Sequence, residues 1–369
     1  MARIPEPEYP ASRLIVDVKA DKYRCHKGDG DMWPLTWAAD DNIYGAAGDN
    51  LGSPMNFWRI QGGPPGQLFL VDNCPVDHRK YCRIPPTDPG GGVKPAGLLS
   101  LKGVLYFAVE AMNYGDNPQF NRQRNIHGWI ITSNDFGRTW NRDATAADFF
   151  TGRLSSCHFL QFGRDCEGAR DEYVYAYFPA ADDGNSYWEN GDCLLLGRVP
   201  RDRILDGKAW EFCCGFEADR TPRWSRQEEA AVGVFRYPHM TGENHVAYNP
   251  GIRRYLMGNY GFYDPATGKP RPYHQLKWPQ SVKPSQLTLF EAPEPWGPWS
   301  LFYRDDDWGT YGGYQPNFPV KWISRDGKIV FMVSSGTFDD YNFTTQRLTL
   351  AIAGEDARGR TIDGEAQGP

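Results

Sequence analysis

The feature that most constrains this fold is a recurring pair of short apolar, aromatic-rich segments joined by a tight turn. Helix-period segments are almost absent, and the 40 glycines and 29 prolines favour many turns. The sequence therefore predicts an all-β chain. The predicted strand pairs are Leu35–Ala38 with Ile43–Ala47, Leu98–Leu101 with Val104–Glu110, Cys157–Phe162 with Tyr173–Phe178, Cys193–Val199 with Ala209–Cys214, His245–Tyr248 with Arg254–Tyr260, Leu287–Glu291 with Trp299–Tyr303, and Val320–Ile323 with Ile329–Val333, with single strands at Trp129–Thr132 and Leu348–Ala353.

These segments group into five units of similar order, at intervals of roughly 60–70 residues. A single unit cannot bury both of its faces, whereas repetition around a ring can. We therefore expect a five-bladed β-propeller, with two stacked β-sandwiches as the alternative. One domain would span residues 13–353. Residues 1–12 and 354–369 are polar and rich in Glu, Gly and Pro, so mobile tails are expected there.

A local motif supports the propeller. Residues Ser133–Trp140, SNDFGRTW, fit the Asp-box pattern S-x-D-x-G-x-T-W. In such a hairpin the Ser and Asp side chains satisfy the turn backbone, and the Trp packs beneath the loop. The motif predicts a β-hairpin on the outer rim rather than a catalytic site.

The stretch Gly28–Asp49 holds five carboxylates, at positions 29, 31, 40, 41 and 49. A hairpin turning at Asp40-Asp41-Asn42 would return Asp49 to the end where Asp31 starts. Two carboxylates at one end are what cleavage of a glycosidic bond requires. Asp40 and Asp41 would then cap the far turn. The competing interpretation treats all five as turn residues and strand caps.

The segment Gly30–Asp49 reads GD-x-WP-x-TWA-x-DD-x-x-Y-x-x-x-GD, and it resembles the DUF4185 family, which includes the endo-D-arabinanases of glycoside hydrolase family 183. The resemblance implies a five-bladed propeller that cleaves α-D-arabinofuranosyl linkages in mycobacterial arabinogalactan and lipoarabinomannan. It places the two catalytic aspartates on Asp31 and Asp49. The similarity continues through Leu105–Phe107, Ser133–Trp140, Arg198–Pro200, Tyr248–Pro250 and Pro295–Trp299.

One aspartate would protonate the leaving oxygen, and the other would act as nucleophile or as base on a water. A carboxyl separation of roughly 5 Å implies retention of configuration, and roughly 6.5–9.5 Å implies inversion. Trp33 makes Asp31 the candidate acid, because an apolar neighbour favours the neutral carboxyl.

Substrate contacts are expected from loops over the central funnel. Glu110 either supplies a third carboxylate to the funnel or forms a salt bridge at the end of its strand. His127, Asn244 and His245 are expected at inner-strand starts, as substrate contacts or as structural residues. Tyr311, Tyr314 and Phe318 could form an aromatic wall for furanose rings. The substrate-binding candidates are Trp33, Asp41, Glu110, Asn113, His127, His245 and Tyr314.

The net charge of −6 and the pI near 5.7 argue against nucleic acid as a partner. No apolar run is long enough to cross a membrane, and the N-terminus lacks a signal-peptide core. The protein would then be cytoplasmic, or secreted with its signal removed. We expect a monomer whose partner is a polysaccharide or oligosaccharide.

Eight cysteines without a CxxC pair and seven scattered histidines indicate no catalytic metal and no cofactor, although a structural cation on the propeller axis stays compatible. Cys157 with Cys166, or Cys74 with Cys82, could close loops in an oxidising compartment.

The predicted function is a glycoside hydrolase, and the resemblance implies that it acts on arabinofuranosyl linkages within D-arabinan chains. The alternatives are a carbohydrate-binding propeller without catalysis and a glycosidase for another sugar, such as L-arabinan or a sialoside. The aspartate pair argues against the first alternative. A single Asp box argues against a sialidase.

Overall fold

A computed structural model describes residues 4–26, 28–48, 55–73, 75–76, 91–113, 124–270, 284–310, 312–337 and 341–354. The chain forms five antiparallel sheets that are the blades of a five-bladed β-propeller. The propeller prediction is therefore confirmed, and the stacked-sandwich alternative is wrong.

Each blade is built from strands that are mostly consecutive in sequence. Blade I contains β3 (Asp31–Trp37), β4 (Ile43–Gly48), β5 (Met55–Gln61) and β6 (Gln67–Asp72). Blade II contains β7 (Gly91–Leu101), β8 (Val104–Asn113), β9 (Arg124–Ser133) and β10 (Phe150–Thr151), and the short strand β13 (Ser186–Tyr187) pairs with β9.

Blade III contains β11 (His158–Phe159), β12 (Tyr173–Ala180), β14 (Gly191–Pro200), β15 (Glu211–Phe216) and β16 (Pro222–Ser225), and β17 (Gly233–Thr241) pairs with β14. Blade IV contains β18 (His245–Asn249), β19 (Arg254–Phe262), β20 (Ser285–Ala292) and β21 (Ser300–Asp305). Blade V contains β22 (Tyr314–Asn317), β23 (Ile329–Ser335), β24 (Phe343–Ile352) and β1 (Ile15–Ala20), and β2 (Arg24–His26) pairs with β24.

Helical structure within the described ranges is limited to short 3-10 turns. They are Gly152–Leu154, Arg164–Cys166, Gly207–Ala209, Glu228–Ala230 and Val320–Trp322. None of the described helices reaches the length and apolar character that a membrane crossing requires.

The inner strands β3, β7, β11, β18 and β22 follow one another around the axis, each in contact with the next, and β22 contacts β3. Adjacent blades approach closely. A Cβ placed on Gly258 of blade IV would lie 2.6 Å from Cγ of Pro316 in blade V. Buried aromatic side chains fill the spaces between blades, such as Phe57 of blade I and Phe107 of blade II, whose ring centroids are 6.1 Å apart.

The ring is closed by the N-terminus. Strand β1 pairs with β24, so the first described strand completes the last blade. Before it, Tyr9 stacks on Phe235 at 5.0 Å, and the carbonyl of Pro5 accepts a hydrogen bond from Tyr237. Within the tail predicted over residues 1–12, Pro5 and Tyr9 therefore contact the propeller, and the mobility of this segment stays a prediction. Residues 355–369 lie outside the described part.

Two strand predictions need correction. Val320–Ile323 contains a 3-10 turn, and the inner strand of blade V is Tyr314–Asn317 instead. The predicted strand Cys157–Phe162 shrinks to His158–Phe159, because the residues after Phe159 leave the sheet.

The sequence allowed a disulfide between Cys157 and Cys166 in an oxidising compartment, and in the structure both are free, buried thiols. Burial raises the pKa of both thiols, which keeps them protonated and unreactive. Cys74 and Cys82 lie outside the described residues.

The Asp box forms the predicted turn after β9. The Ser133 hydroxyl accepts from the Gly137 amide at 2.8 Å, and Asp135 accepts from the Thr139 amide at 2.9 Å. Gly137 has φ +85°, which favours glycine. Trp140 packs edge-on against Phe57 at 4.9 Å, which ties the turn of blade II to blade I.

Candidate active site

Asp31 is the first residue of β3 and lies at one end of the inner-strand ring. Its backbone pairs with Gly48, the last residue of β4, and its side chain is buried. The predicted hairpin is thus confirmed up to Gly48. Asp49, the next residue in sequence, lies outside the described residues.

The backbone around Asp31 is unusual. Gly30 has φ +105°, and the non-glycine residues Met32 and Trp33 have φ +79° and +53°. The β3–β4 register shifts between Met32 and Leu35, which marks a bulge. Non-glycine residues in this region are strained, and such strain clusters at functional sites. The strain identifies this strand start as a candidate site independently of its sequence motif.

Tyr314 joins blade V to Asp31. As the first residue of β22, it donates its hydroxyl to Oδ2 of Asp31 at 2.9 Å. Its ring packs edge-on against Trp188, with centroids 5.5 Å apart. The predicted aromatic residue therefore also orients the candidate catalytic carboxylate.

Lys94 of β7 lies on the other side of Asp31. A Cβ placed on Gly48 would lie 3.1 Å from Oδ1 of Asp31 and 3.3 Å from Cδ of Lys94, so both side chains flank this glycine. Lys94 is buried and pairs across the sheet with Glu110 of β8. It is thus a buried cation close to both carboxylates.

Glu110 and Glu243 form a second acidic centre. Both are fully buried, Glu110 on β8 and Glu243 two residues before β18. Burial raises the pKa of both groups, and the charge of Glu243 raises that of Glu110 further, while Lys94 acts in the opposite direction. Two adjacent carboxylates in a dry environment favour holding one proton between them.

Glu243 is held by donors from three other blades. Asn125 and Ser156 each donate to its Oε1 at 3.1 Å, and the side chain of Gln315 donates to its Oε2. The Ser156 hydroxyl also contacts Nε2 of His158 at 2.7 Å. Glu243 therefore links blades II, III, IV and V near the axis.

Two histidines begin neighbouring inner strands, His158 on β11 and His245 on β18, with ring centroids 5.0 Å apart. Burial lowers the pKa of His158 well below its usual value, and His245 adds to this; burial lowers that of His245 to about 4. Both rings are neutral at neutral pH. The predicted position of His245 is confirmed.

Other candidates are placed differently. His127 is on β9, the third strand of blade II, rather than at an inner-strand start, and burial lowers its pKa. Trp33 is fully buried against Trp58 and Phe343, so it offers no face to a sugar. Phe318 is also fully buried, which removes it from an aromatic wall.

The structure does not bring Asp41 to this site. Asp41 is in the β3–β4 turn at the far end of the hairpin, where it accepts from Trp37 at 2.9 Å and pairs with Lys321 at 3.2 Å. Asn113 ends β8 and pairs across the sheet with Gly91, the first residue of β7, so its backbone lies at the end of the inner ring where Asp31 starts β3. Asn244 directly precedes β18 and is buried.

A small pocket lies at the opposite end of the inner strands from Asp31. It is lined by Leu35, Thr36, Trp37, Ile43, Gln161, Gly163, Pro319 and Val320. Its described lining contains no ionisable side chain, whereas buried ionisable groups gather at the Asp31 end.

Sequence reasoning missed Glu243, His158, Lys94 and Gln315. His158 was within a predicted strand but carried no motif. Glu243 immediately precedes Asn244 and His245, which were singled out, and a charged residue before an inner strand was the available signal. Lys94 and Gln315 had no local signal, because their roles depend on contacts between blades.

No family model and no curated protein sequence matches the chain. A structure from Bacteroides ovatus assigned as a hydrolase is 13% identical, with a TM-score of 0.50, and the match covers 86% of this chain and 85% of that one. A glycosyl hydrolase from Bacteroides ovatus is 12% identical, with a TM-score of 0.47 and coverage of 97% and 95%. The GH43_1 enzyme from Xanthomonas citri, determined with xylose, is 12% identical, with a TM-score of 0.46 and coverage of 96% and 92%. At this identity the first likeness shows the propeller fold alone.

Proposed function

We propose that this protein is a glycoside hydrolase that cleaves arabinofuranosyl linkages, acting within D-arabinan chains of the mycobacterial arabinogalactan type. The observation that carries the proposal is the buried Asp31 carboxylate at the start of an inner strand, held by Tyr314 and flanked by Lys94. The resemblance of Gly30–Asp49 to the DUF4185 family supports the choice of sugar.

The proposed chemistry uses Asp31 and Asp49. One carboxyl protonates the glycosidic oxygen while the other attacks the anomeric carbon or activates a water. Tyr314 contributes by fixing the orientation of the Asp31 carboxylate, because a correctly placed group avoids reorganisation during the reaction.

The test is a product screen with the wild-type chain and the variants Asp31→Asn and Asp49→Asn. Substrates are mycobacterial arabinogalactan, lipoarabinomannan, plant L-arabinan, galactan and mannan. We expect oligosaccharide release from the D-arabinan substrates and a loss of several orders of magnitude in both variants.

The outcomes separate the alternatives. Oligosaccharide release from plant L-arabinan alone would show that the substrate is L-arabinan and not D-arabinan. If the wild type binds D-arabinan in a gel-shift assay but releases no sugar from any of the five polymers, the protein is a carbohydrate-binding propeller and not a glycosidase. Thermal unfolding of each variant must match the wild type within a few degrees, so that lost activity is not lost folding.

A further inference from the structure

The acidic centre near the propeller axis contains potential metal ligands from three blades. The carboxylate oxygens of Glu110 and Glu243 and a ring nitrogen of His158 all lie within 4.8 Å of one another. All three side chains are buried to 1% exposure or less. Ligand atoms around one ion with bonds of roughly 2.0–2.2 Å lie about 3–4 Å apart, so a small contraction would complete the site.

Glu243 is well supplied with donors, but several other polar atoms of this centre lack a hydrogen-bond partner among the described residues. The polar neighbours of Glu110 are Glu243 and Ser156, but neither of its carboxylate oxygens reaches them with normal hydrogen-bond geometry. Nδ1 of His158 and the side-chain carbonyl oxygens of Asn125 and Gln315 likewise complete no hydrogen bond of normal geometry with the described residues. A fully buried carboxylate without a full set of donors is costly, and such groups in native proteins are usually completed by an ion or ordered water.

The local charge favours a cation. Two carboxylates face one another here. Among the described residues, Lys94 is the cation whose charge lowers the pKa of both. Ser156 holds His158 and Glu243 together, and Asn125 and Gln315 hold Glu243 from two other blades. Such outer contacts orient ligands around metal ions.

We propose that Glu110, His158 and Glu243 bind one divalent metal cation near the propeller axis. The set of one imidazole and two carboxylates fits Mn²⁺ or Zn²⁺ better than Ca²⁺ or Mg²⁺, which prefer oxygen ligands alone. The ion ties blades II, III and IV together where the inner strands converge. This role is separate from the proposed glycosidase, and its test needs no substrate.

The first measurement is the metal content of the full chain, purified without chelator, by inductively coupled plasma mass spectrometry. The protein is then unfolded in urea with EDTA, refolded, and titrated separately with Mn²⁺, Zn²⁺, Ca²⁺ and Mg²⁺ while thermal unfolding is recorded. We expect one equivalent of Mn²⁺ or Zn²⁺ and a rise in Tm of at least about 3 °C.

The variants Glu110→Gln and Glu243→Gln should bind no ion and lose the Tm response. Glu110→Gln is the more informative of the two, because its amide can donate to Glu243 and so preserve the fold without metal. The matched control is Glu291→Gln, a buried glutamate paired with Arg254 on blade IV, which should keep the full metal response.

Two results would overturn the proposal. One is the absence of bound metal together with no Tm response to any of the four ions. The other is a response of wild-type size in both Glu110→Gln and Glu243→Gln. A response to Ca²⁺ or Mg²⁺ alone would overturn the choice of ion.

Discussion

The hydroxyl of Tyr314 donates a 2.9 Å hydrogen bond to Oδ2 of Asp31, although the two residues are 283 positions apart in sequence. The bond joins the first residue of the inner strand of blade V to the first residue of that of blade I. It forms only where the ring closes, so the geometry of the candidate catalytic carboxylate depends on complete closure of the propeller.

Replacing Tyr314 with Phe should lower kcat of arabinan hydrolysis by about 10- to 100-fold, because a hydrogen bond to a charged group contributes about 1.5–3 kcal/mol. Initial rates across substrate concentrations check this. The control Tyr303→Phe, on the outermost strand of blade IV, should keep wild-type rates. Unchanged kcat in Tyr314→Phe would contradict an orienting role.

Trp33 should behave as a core residue rather than as a sugar platform. Trp33→Ala is expected to lower the free energy of unfolding by about 3–5 kcal/mol, since it leaves a cavity beside Trp58 and Phe343. Urea denaturation measures this. Trp33→Phe should keep the wild-type KM, and a KM raised tenfold with normal stability would instead place the ring at the substrate.

The Asp box should affect stability and not activity. Asp135→Ala removes the hydrogen bonds from the amide and hydroxyl of Thr139, which should cost about 1–2 kcal/mol of unfolding free energy at pH 7. Asn134→Ala, at an exposed position of the same turn, is the control. Loss of hydrolysis in folded Asp135→Ala would show that this turn takes part in function.

The same aspartate predicts a pH dependence. Burial acts to raise the pKa of Asp135, but hydrogen bonds from Thr139 and Ser133 outweigh it and lower the pKa below the usual 3.8. The ionised form is therefore stabilised by folding, fully above pH 3.8 and progressively less as the pH falls below it. The difference in Tm between the wild type and Asp135→Ala should shrink between pH 7 and pH 3. A constant difference would contradict this.

The N-terminal strand should be essential for folding. Deleting residues 1–20 removes β1, leaves the Leu348–Ile352 part of β24 unpaired at its edge and uncovers Leu348 and Leu350, which are buried in the intact chain. We expect aggregation or loss of a cooperative transition in calorimetry. Deleting residues 355–369 is the control and should leave the Tm unchanged.

The sequence predicted the parts of the fold that depend on local interactions. The β3–β4 hairpin and the Asp-box turn follow from turn residues and alternating apolar positions within a few residues of each other. The position of Asp31 at a strand start followed from the same local pattern. The inner strand Tyr314–Asn317 was missed, because its short run of polar and aromatic residues lacks an apolar alternation.

The tertiary structure decided which side chains meet. Trp33, which the sequence predicted to contact substrate, is fully buried at a bulge where Met32 and Trp33 have positive φ values. No sequence pattern predicts that bulge. Glu110, His158 and Glu243 come from different blades, so only closure of the ring brings their charges together. Local sequence thus determined most of the strands and the acid at the start of β3. The surroundings of that acid, and the buried acidic centre, result from packing five blades around one axis.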